Sequence, residues 1–277
     1  MYKFNKAQIG SEELLVSIIM PSYNSEKFIK QSISSVLDQG YKNWELLIVD
    51  GMSNDSTREI IKKYQSLDSR ICLIDNPNDG GPGQARNLAL NYFNGDFIAF
   101  IDSDDLWTQD KLKKQLKFMV KNDFTFTYTD YKKIDENNKI SNASISGHES
   151  NNFHQYLRRR GIANSSVIIR ADIILEGIFD EVERMYAEDT MWWLILLKNG
   201  NVAFALNKTL MLYRTISSSR SSNIFQNQKD VWNFYLNFLN LGILKSIYYY
   251  FLYLIDVILR RIKFKFKNEL INSYKNE

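Results

Sequence analysis

One cysteine, Cys72, and two histidines, His148 and His154, are all that 277 residues offer to a disulfide or a soft metal. A disulfide within the chain is therefore excluded, and a reducing compartment is expected. The same three side chains are too few for a structural zinc site, so any metal here must be held by oxygen. The amino end, Met1 to Leu15, lacks an apolar core, carries Glu12 and Glu13, and does not read as a secretory signal. Without secretion, the glycosylation sequons at Asn54, Asn142 and Asn164 carry no meaning. There is also little excess charge, a formal +3, which argues against a general nucleic-acid binder.

What is present begins with Phe97-Ile98-Ala99-Phe100-Ile101-Asp102-Ser103-Asp104-Asp105. The apolar run has the character of a buried strand. Its acids would then lie at the strand's carboxyl end, where open α/β sheets place their ligands. Carboxylates that close repel one another unless a positive group lies between them. A divalent metal carrying a phosphorylated ligand answers this, because Mg²⁺ or Mn²⁺ takes one or two carboxylates plus phosphate oxygens and water. A helix cap at Asp102 or Asp105 is the rival reading, but a cap needs one such residue, not three.

Strands are predicted over Val16 to Met20, Glu45 to Asp50, Ile71 to Ile74 and Phe97 to Ile101, with helices between them. Asn24 is read as a cap for the first helix, and Asp55 or Ser56 as the start of the second. This alternation predicts an α/β fold, a mixed and mainly parallel central sheet with helices on both faces. Farther on, Thr108 opens a helix, Phe124 to Tyr131 alternates as a strand, and Lys132 to Asn152 reads as a mobile polar loop. Val202 to Leu206 and Leu210 to Tyr213 read as two short strands, and Ser217 to Ser222 as flexible. Helices follow over Val231 to Leu241 and Ile243 to Ile262.

Four loops leave the same edge of this predicted sheet. In Pro21-Ser22-Tyr23-Asn24, the tyrosine can stack on a flat base and Asn24 can hold the turn. In Asp50-Gly51-Met52-Ser53-Asn54-Asp55, Asp50 is read as facing a ligand and Asp55 as structural. Gly80-Gly81-Pro82-Gly83-Gln84-Ala85-Arg86-Asn87 lacks the Lys-Ser/Thr of a P-loop, but Arg86 points a bidentate donor at the edge. The acid cluster is the fourth loop. Glu188-Asp189, at a later helix start, suits either a helix dipole or a general base.

Taken in order, these motifs resemble the family 2 glycosyltransferases from about Val16 to Tyr213. The resemblance implies a GT-A fold and inverting transfer of a sugar from a nucleotide donor, most simply a UDP-sugar. It implies that Tyr23 and the neighbouring Pro21, Ser22 and Asn24 hold the uracil, helped by Asp50, Ser53 and Arg86. Asp102, with Ser103, would meet the ribose. Asp104, with Asp102, would bind Mn²⁺ or Mg²⁺ on the diphosphate, and Arg214 would touch that diphosphate from the far side. Asp189 would be the catalytic base, with Glu188 orienting the acceptor. Two departures stand out: no histidine follows Tyr213-Arg214, where some relatives have a metal ligand, and Met52 stands where a glycine is usual.

The resemblance divides the chain into a catalytic domain, 1–215, and a C-terminal helical segment, 216–277. Within the first, a nucleotide-sugar half covers about 14–106 and an acceptor half about 107–215. The tail is basic: seven Lys and Arg stand against three acids from Leu241 onward. Ile247 to Ile255 is aromatic and apolar, but Asp256 interrupts it short of the roughly 20 residues a span needs. An amphipathic segment on an anionic membrane surface fits this pattern, with a helix packed on the catalytic domain or a homo-oligomer contact as alternatives. The expected protein is then peripheral on the cytoplasmic face of the plasma membrane. It would transfer to a saccharide, lipid-linked, in bacterial polysaccharide synthesis, and take no nucleic acid as partner. The rival functions are a nucleotidyltransferase that makes the nucleotide sugar and an inactive scaffold relative.

Overall fold

Apolar runs become strands as their alternation dictates. The computed structural model describes residues 14–78, 81–174, 188–216 and 224–273. β1 (Val16–Ser22), β2 (Trp44–Asp50), β3 (Ile71–Asp75) and β4 (Phe97–Phe100) pair in parallel in the order β3-β2-β1-β4. Successive residues face opposite sides. Ile18, Met20, Leu46 and Ile48 join one core, whereas Ile19, Leu47 and Val49 join the other. Strands buried on both faces need continuous apolar sequence, which these have.

α1 (Ile29–Leu37), α2 (Thr57–Leu67) and α4 (Lys111–Asn122) cover one face through residues such as Ile33, Ile61 and Leu116. α3 (Gly81–Ala89), α5 (Phe153–Arg158) and α6 (Glu188–Lys198) cover the other through Ala85, Tyr156 and Trp192. The sheet continues beyond β4 with β9 (Ile168–Arg170), β6 (Phe126–Ile134), β10 (Ala203–Arg214) and β5 (Leu106–Trp107), in that spatial order. β9 runs antiparallel to β4 and β6, and β6 runs parallel to β10, so the sheet is mixed. One sheet thus runs through both halves of the expected catalytic domain.

Several expectations are corrected. Lys132 to Asn152 is not a loop: β6 extends to Ile134, β7 (Ile140–Ile145) folds back on it, and β8 (Ser150–Asn151) pairs with β10. The Asp135 Oδ1 accepts from the backbone N–H of Asn137 and Lys139 at 2.9 Å each, closing the turn, with Asn138 at φ 65°. Polar residues fill β7 because it pairs on one side only, with β6. The two short late strands are one, β10, irregular in register between Leu206 and Met211. Helix α4 starts at Lys111 rather than Thr108, whose N–H is still bonded across to the Leu210 carbonyl of β10 at 3.0 Å. Asn24 does not cap α1, which begins at Ile29 without a side-chain cap. The expected flexible stretch Ser217 to Ser222 and most of the amino-terminal reading lie outside the described residues.

The C-terminal segment contains α7 (Ile224–Asn233), a π-helical turn over Phe234–Phe238, and α8 (Ile243–Ser273). Val231, Phe234 and Tyr235 are buried in the same core as α6, so this segment is packed on the sheet rather than detached. Among the described residues, no helix is long and apolar enough to cross a membrane.

Candidate active site

Parallel pairing brings Ser22, Asp50 and Asp75 level at the strand ends, because Ser22 pairs with Asp50 and Asp50 with Asp75. Ile101, just past β4, donates its N–H to the Ile19 carbonyl at 3.1 Å, which sets Asp102 on the same edge. The predicted loops therefore converge as parallel topology requires.

The first two loops are bound to each other. Asn24, at φ 47°, donates its N–H to the Ser53 Oγ at 2.8 Å, and its Oδ1 accepts from the Asn54 N–H at 3.0 Å. Asp55 accepts from the N–H of Thr57, the first residue of α2, at 3.0 Å, and from Glu26 at 3.2 Å. Tyr23 is 63 % exposed beside this junction, a free aromatic face. Pro21 and Ser22 are buried at the end of β1. Met52 holds φ 60°, a left-handed backbone that normally favours glycine.

Asp50 differs from the ligand-facing carboxylate expected. It is fully buried, and its oxygens accept from the Ser53 N–H at 2.8 Å, the Ser53 Oγ at 2.7 Å, the Ser22 Oγ at 3.2 Å and the Arg58 Nη1 at 3.1 Å. The other arm of Arg58 reaches Asp75 at 2.7 Å. Asp50 thus organises the turn that carries Met52 and Ser53. Nothing in the sequence distinguishes Arg58 from a surface arginine on α2.

The acid cluster divides in two. Asp105 is buried, takes a 2.5 Å hydrogen bond from the Ser165 Oγ and accepts the Arg214 N–H at 2.8 Å. Burial pushes its carboxyl well above the usual range, and Asp104 and Asp102 push it further. Asp102 and Asp104 are instead partly open. Asp102 Oδ1 accepts from the Arg86 Nη2 at 2.7 Å and the Asn164 Nδ2 at 2.9 Å, while Oδ2 takes no hydrogen bond from the described residues. Ser103 is tied to the first loop and α1, its Oγ 2.8 Å from the Ser25 Oγ and its carbonyl accepting from the Ser32 Oγ at 2.8 Å. In sequence, Asn164 reads only as part of an idle sequon and Ser165 as the start of a strand over Ser165 to Ile169; the fold begins that strand, β9, at Ile168 and puts both residues in a turn under the acid cluster.

Asp104 shows how this donor set suits a cation. Burial, then the Asp102 carboxylate, pushes its carboxyl up to about 6. Arg86 already pairs with Asp102, but Asp104 forms no ion pair among the described residues, a shortfall that a divalent ion would relieve. Among the described residues no three acid, histidine or cysteine side chains converge on one point, so ligands beyond these two must come from elsewhere, as donor phosphate oxygens would.

Arg214 does not present a free guanidinium. It is 3 % exposed, lies over the Phe28 ring, and donates to the Asp104 carbonyl at 2.7 Å, the Asp135 carbonyl at 2.9 Å, the Asn138 Oδ1 at 3.0 Å and the Gln31 Oε1 at 2.9 Å. It holds the backbone of the acid loop and brings one positive charge beneath it.

The second acidic centre arrives by packing. α6 is apolar almost all round, and Trp192 and Trp193 meet Phe100 edge-on, at centroid distances of 5.6 and 5.4 Å. Phe100 ends β4, just before the acid loop. The helix start is thereby carried to Asp102, and Glu188 accepts from the Arg86 Nη1 at 3.2 Å. Arg86 is 4 % exposed, so it bridges the two centres instead of reaching outward. Burial and then Glu188 push the Asp189 carboxyl up to about 6, while Arg86 opposes the rise. Its Oδ1 accepts the Thr190 N–H at 2.6 Å.

Known proteins resemble this chain over most of its length. The family model for glycosyl transferase family 2 matches residues 17–175. The chain is 38 % identical over 259 residues to the Escherichia coli UDP-Glc:alpha-D-GlcNAc-diphosphoundecaprenol beta-1,3-glucosyltransferase WfgD, covering 93 % of this chain and 98 % of WfgD. It is 34 % identical over 248 residues to the Bacillus subtilis putative teichuronic acid biosynthesis glycosyltransferase TuaG, covering 90 % and 98 %. Residues 1–349 of S. aureus TarS, solved with UDP-GlcNAc, superpose with a TM-score of 0.65 at 22 % identity, over 81 % of this chain and 67 % of that one. Against a longer TarS chain the coverage is 40 %. The mannosyltransferase PcManGT of Pyrobaculum calidifontis, solved with GDP-Man and Mn2+, superposes with a TM-score of 0.62 at 15 % identity, over 82 % and 65 %. With its GT-A-like sheet and its acid loops in this order, the chain belongs to glycosyl transferase family 2.

Proposed function

We propose that the protein is an inverting, metal-dependent glycosyltransferase that moves a sugar from a UDP-sugar to a hydroxyl of a lipid-linked saccharide in bacterial surface-polysaccharide synthesis. The observation that carries this reading is the Arg86 guanidinium, which holds Asp102 with one arm and Glu188 with the other. One buried guanidinium thus keeps the carboxylate assigned to the donor and the one assigned to the acceptor close together. WfgD, by its name, joins glucose from UDP-Glc to a GlcNAc on diphosphoundecaprenol, which supports the donor and acceptor classes. The setting is the cytoplasmic face of a membrane, with the C-terminal helix as the element that meets it.

Each side chain has a part. Tyr23 stacks on the base. The open Oδ2 of Asp102 accepts from a ribose hydroxyl. Asp104 and Asp102 would hold Mn²⁺ or Mg²⁺, and such an ion would supply positive charge to offset that on the departing diphosphate. Asp189 accepts the acceptor hydroxyl proton as the new glycosidic bond forms, and a carboxyl at about 6 is mostly ionised near neutral pH. Glu188, held by the Arg86 guanidinium, orients the acceptor. A single displacement needs one base and no enzyme nucleophile, and alignment of donor and acceptor supplies much of the remaining rate. The nucleotidyltransferase alternative lacks a basic Gly-rich loop after β1.

The test is a thermal-shift screen of UDP-, GDP- and dTDP-sugars with Mn²⁺, followed by transfer to a GlcNAc-diphospholipid analogue. Stabilisation by a UDP-sugar with transfer to the analogue is expected. Stabilisation by none, or synthesis of nucleotide sugar from a sugar phosphate, would overturn the reading.

A further inference from the structure

Helix α8 has two faces of different fate. Its inner face is fixed: Asp256 binds the Arg260 Nε at 2.7 Å and lies 3.4 Å from the His148 Nε2, Tyr249 meets His154 at 3.2 Å, and the Arg160 guanidinium lies over the Tyr253 ring. Arg260 also rests on Gly161, where an added Cβ would meet its Nη1. These contacts decide which way the opposite face points.

That opposite face is apolar and has no partner among the described residues. Leu244, Tyr248, Phe251, Ile258 and Ile262 are 82, 55, 61, 56 and 46 % exposed. At about 100° per residue they fall within about 40° of one line along the helix. Lys245 and Lys263 stand about 100° to one side of that line and Arg261 about 100° to the other, all three exposed. The described exposed side chains of α8 include no acid, because Asp256 is turned inward with 15 % of its side chain exposed.

We infer that α8 lies in the plane of an anionic lipid bilayer, with the Leu244–Ile262 stripe in the acyl boundary and Lys245, Lys263 and Arg261 on the headgroup phosphates. An apolar sector flanked on both sides by cations is the geometry of an interfacial helix. Long basic side chains reach the phosphates while their stems cover apolar surface. The stripe also has the spacing of a helix-pairing seam. Two copies would bring like charges together along both flanks, however, so an anionic surface is the better complement. No described helix is suited to crossing, so the contact is lateral. This deepens the reading of a lipid-borne acceptor and rests on it for its purpose, but vesicle binding is scored without donor or acceptor, so either can fail alone.

The experiment uses the full chain with phosphatidylcholine vesicles, with and without phosphatidylglycerol, in flotation. Binding is expected to be at least about tenfold stronger on the anionic vesicles and to weaken with salt. The double variant Leu244→Asp, Phe251→Asp should abolish flotation, and Lys245→Glu, Lys263→Glu should cut it about tenfold. All should leave transfer to a soluble acceptor analogue unchanged, since these side chains are exposed and away from the acid loops. Equal binding to neutral vesicles, no binding, or a dimer in light scattering that the Asp variants convert to monomer would overturn the inference.

Discussion

Asp102 and Glu188 hang on the two arms of one buried guanidinium, Arg86, at 2.7 and 3.2 Å. One comes from just past β4 and the other from the start of α6, so this contact joins segments distant in the chain. Removing it should therefore be felt twice. Arg86→Met leaves two carboxylates facing each other with little water, and should cost about 3 kcal/mol of stability in urea titration. Because Arg86 also holds the Asp189 carboxyl down, the same variant should move the acid limb of any residual activity to higher pH. Arg86→Lys keeps the charge but cannot serve both arms, and should recover stability better than turnover. A variant as stable and as active as the parent would remove the bridge from the argument.

A pH dependence follows for Asp189. A base works ionised, and this carboxyl is raised to about 6 by burial and by Glu188. Turnover should thus rise as pH climbs through about 6 and level above it. Asp189→Asn should bind the donor normally in calorimetry while transfer falls by about 10²–10⁴-fold. Lost donor binding with intact transfer would reverse the assignment.

Metal removal tests the other centre. EDTA should abolish transfer, and Mn²⁺ or Mg²⁺ should restore it, because on the proposed reading Asp102, Asp104 and the donor diphosphate share one cation. Asp104→Asn should weaken restoration by metal while leaving the melting temperature intact or higher, since it removes a half-buried charge that Asp102 repels. Full activity in chelator would dismiss the metal.

Met52 offers a test of backbone strain. It holds φ 60° where glycine would sit without penalty. Met52→Gly should stabilise the fold by about 0.5–1 kcal/mol, the relief of left-handed strain exceeding glycine's entropic cost. Met52→Val should destabilise it by about 1–2 kcal/mol, because a branched Cβ tolerates this region poorly. Thermal melting with both variants decides the point.

Much of this was legible in one dimension. Buried parallel strands demand long apolar runs, so β1, β2, β3 and β4 could be read directly, and the acids after β4 announced the working edge. The stretch from Lys132 to Asn152 could not be read this way. An edge hairpin paired on one side tolerates polar residues, and β7 therefore looks like a loop. Arg58, Asn164 and Ser165 were silent because their importance lies in partners far along the chain, Asp50, Asp102 and Asp105.

Sequence alone determined the order of the first four strands and the loops that follow them, the carboxylates at their ends, and the amphipathic character of the last helix, because each depends on neighbours within a few residues. Tertiary structure decided which acid is buried and which is open. Asp50 and Asp105 are spent on Ser53, Ser165 and backbone N–H groups, whereas Asp102 keeps one oxygen without a hydrogen bond from the described residues. It also decided that Arg86 and Arg214 face inward and that Trp192 and Trp193 seat the second acid pair beside the first. Burial and charge compensation are sums over residues distant in the chain, and only folding brings those residues within reach.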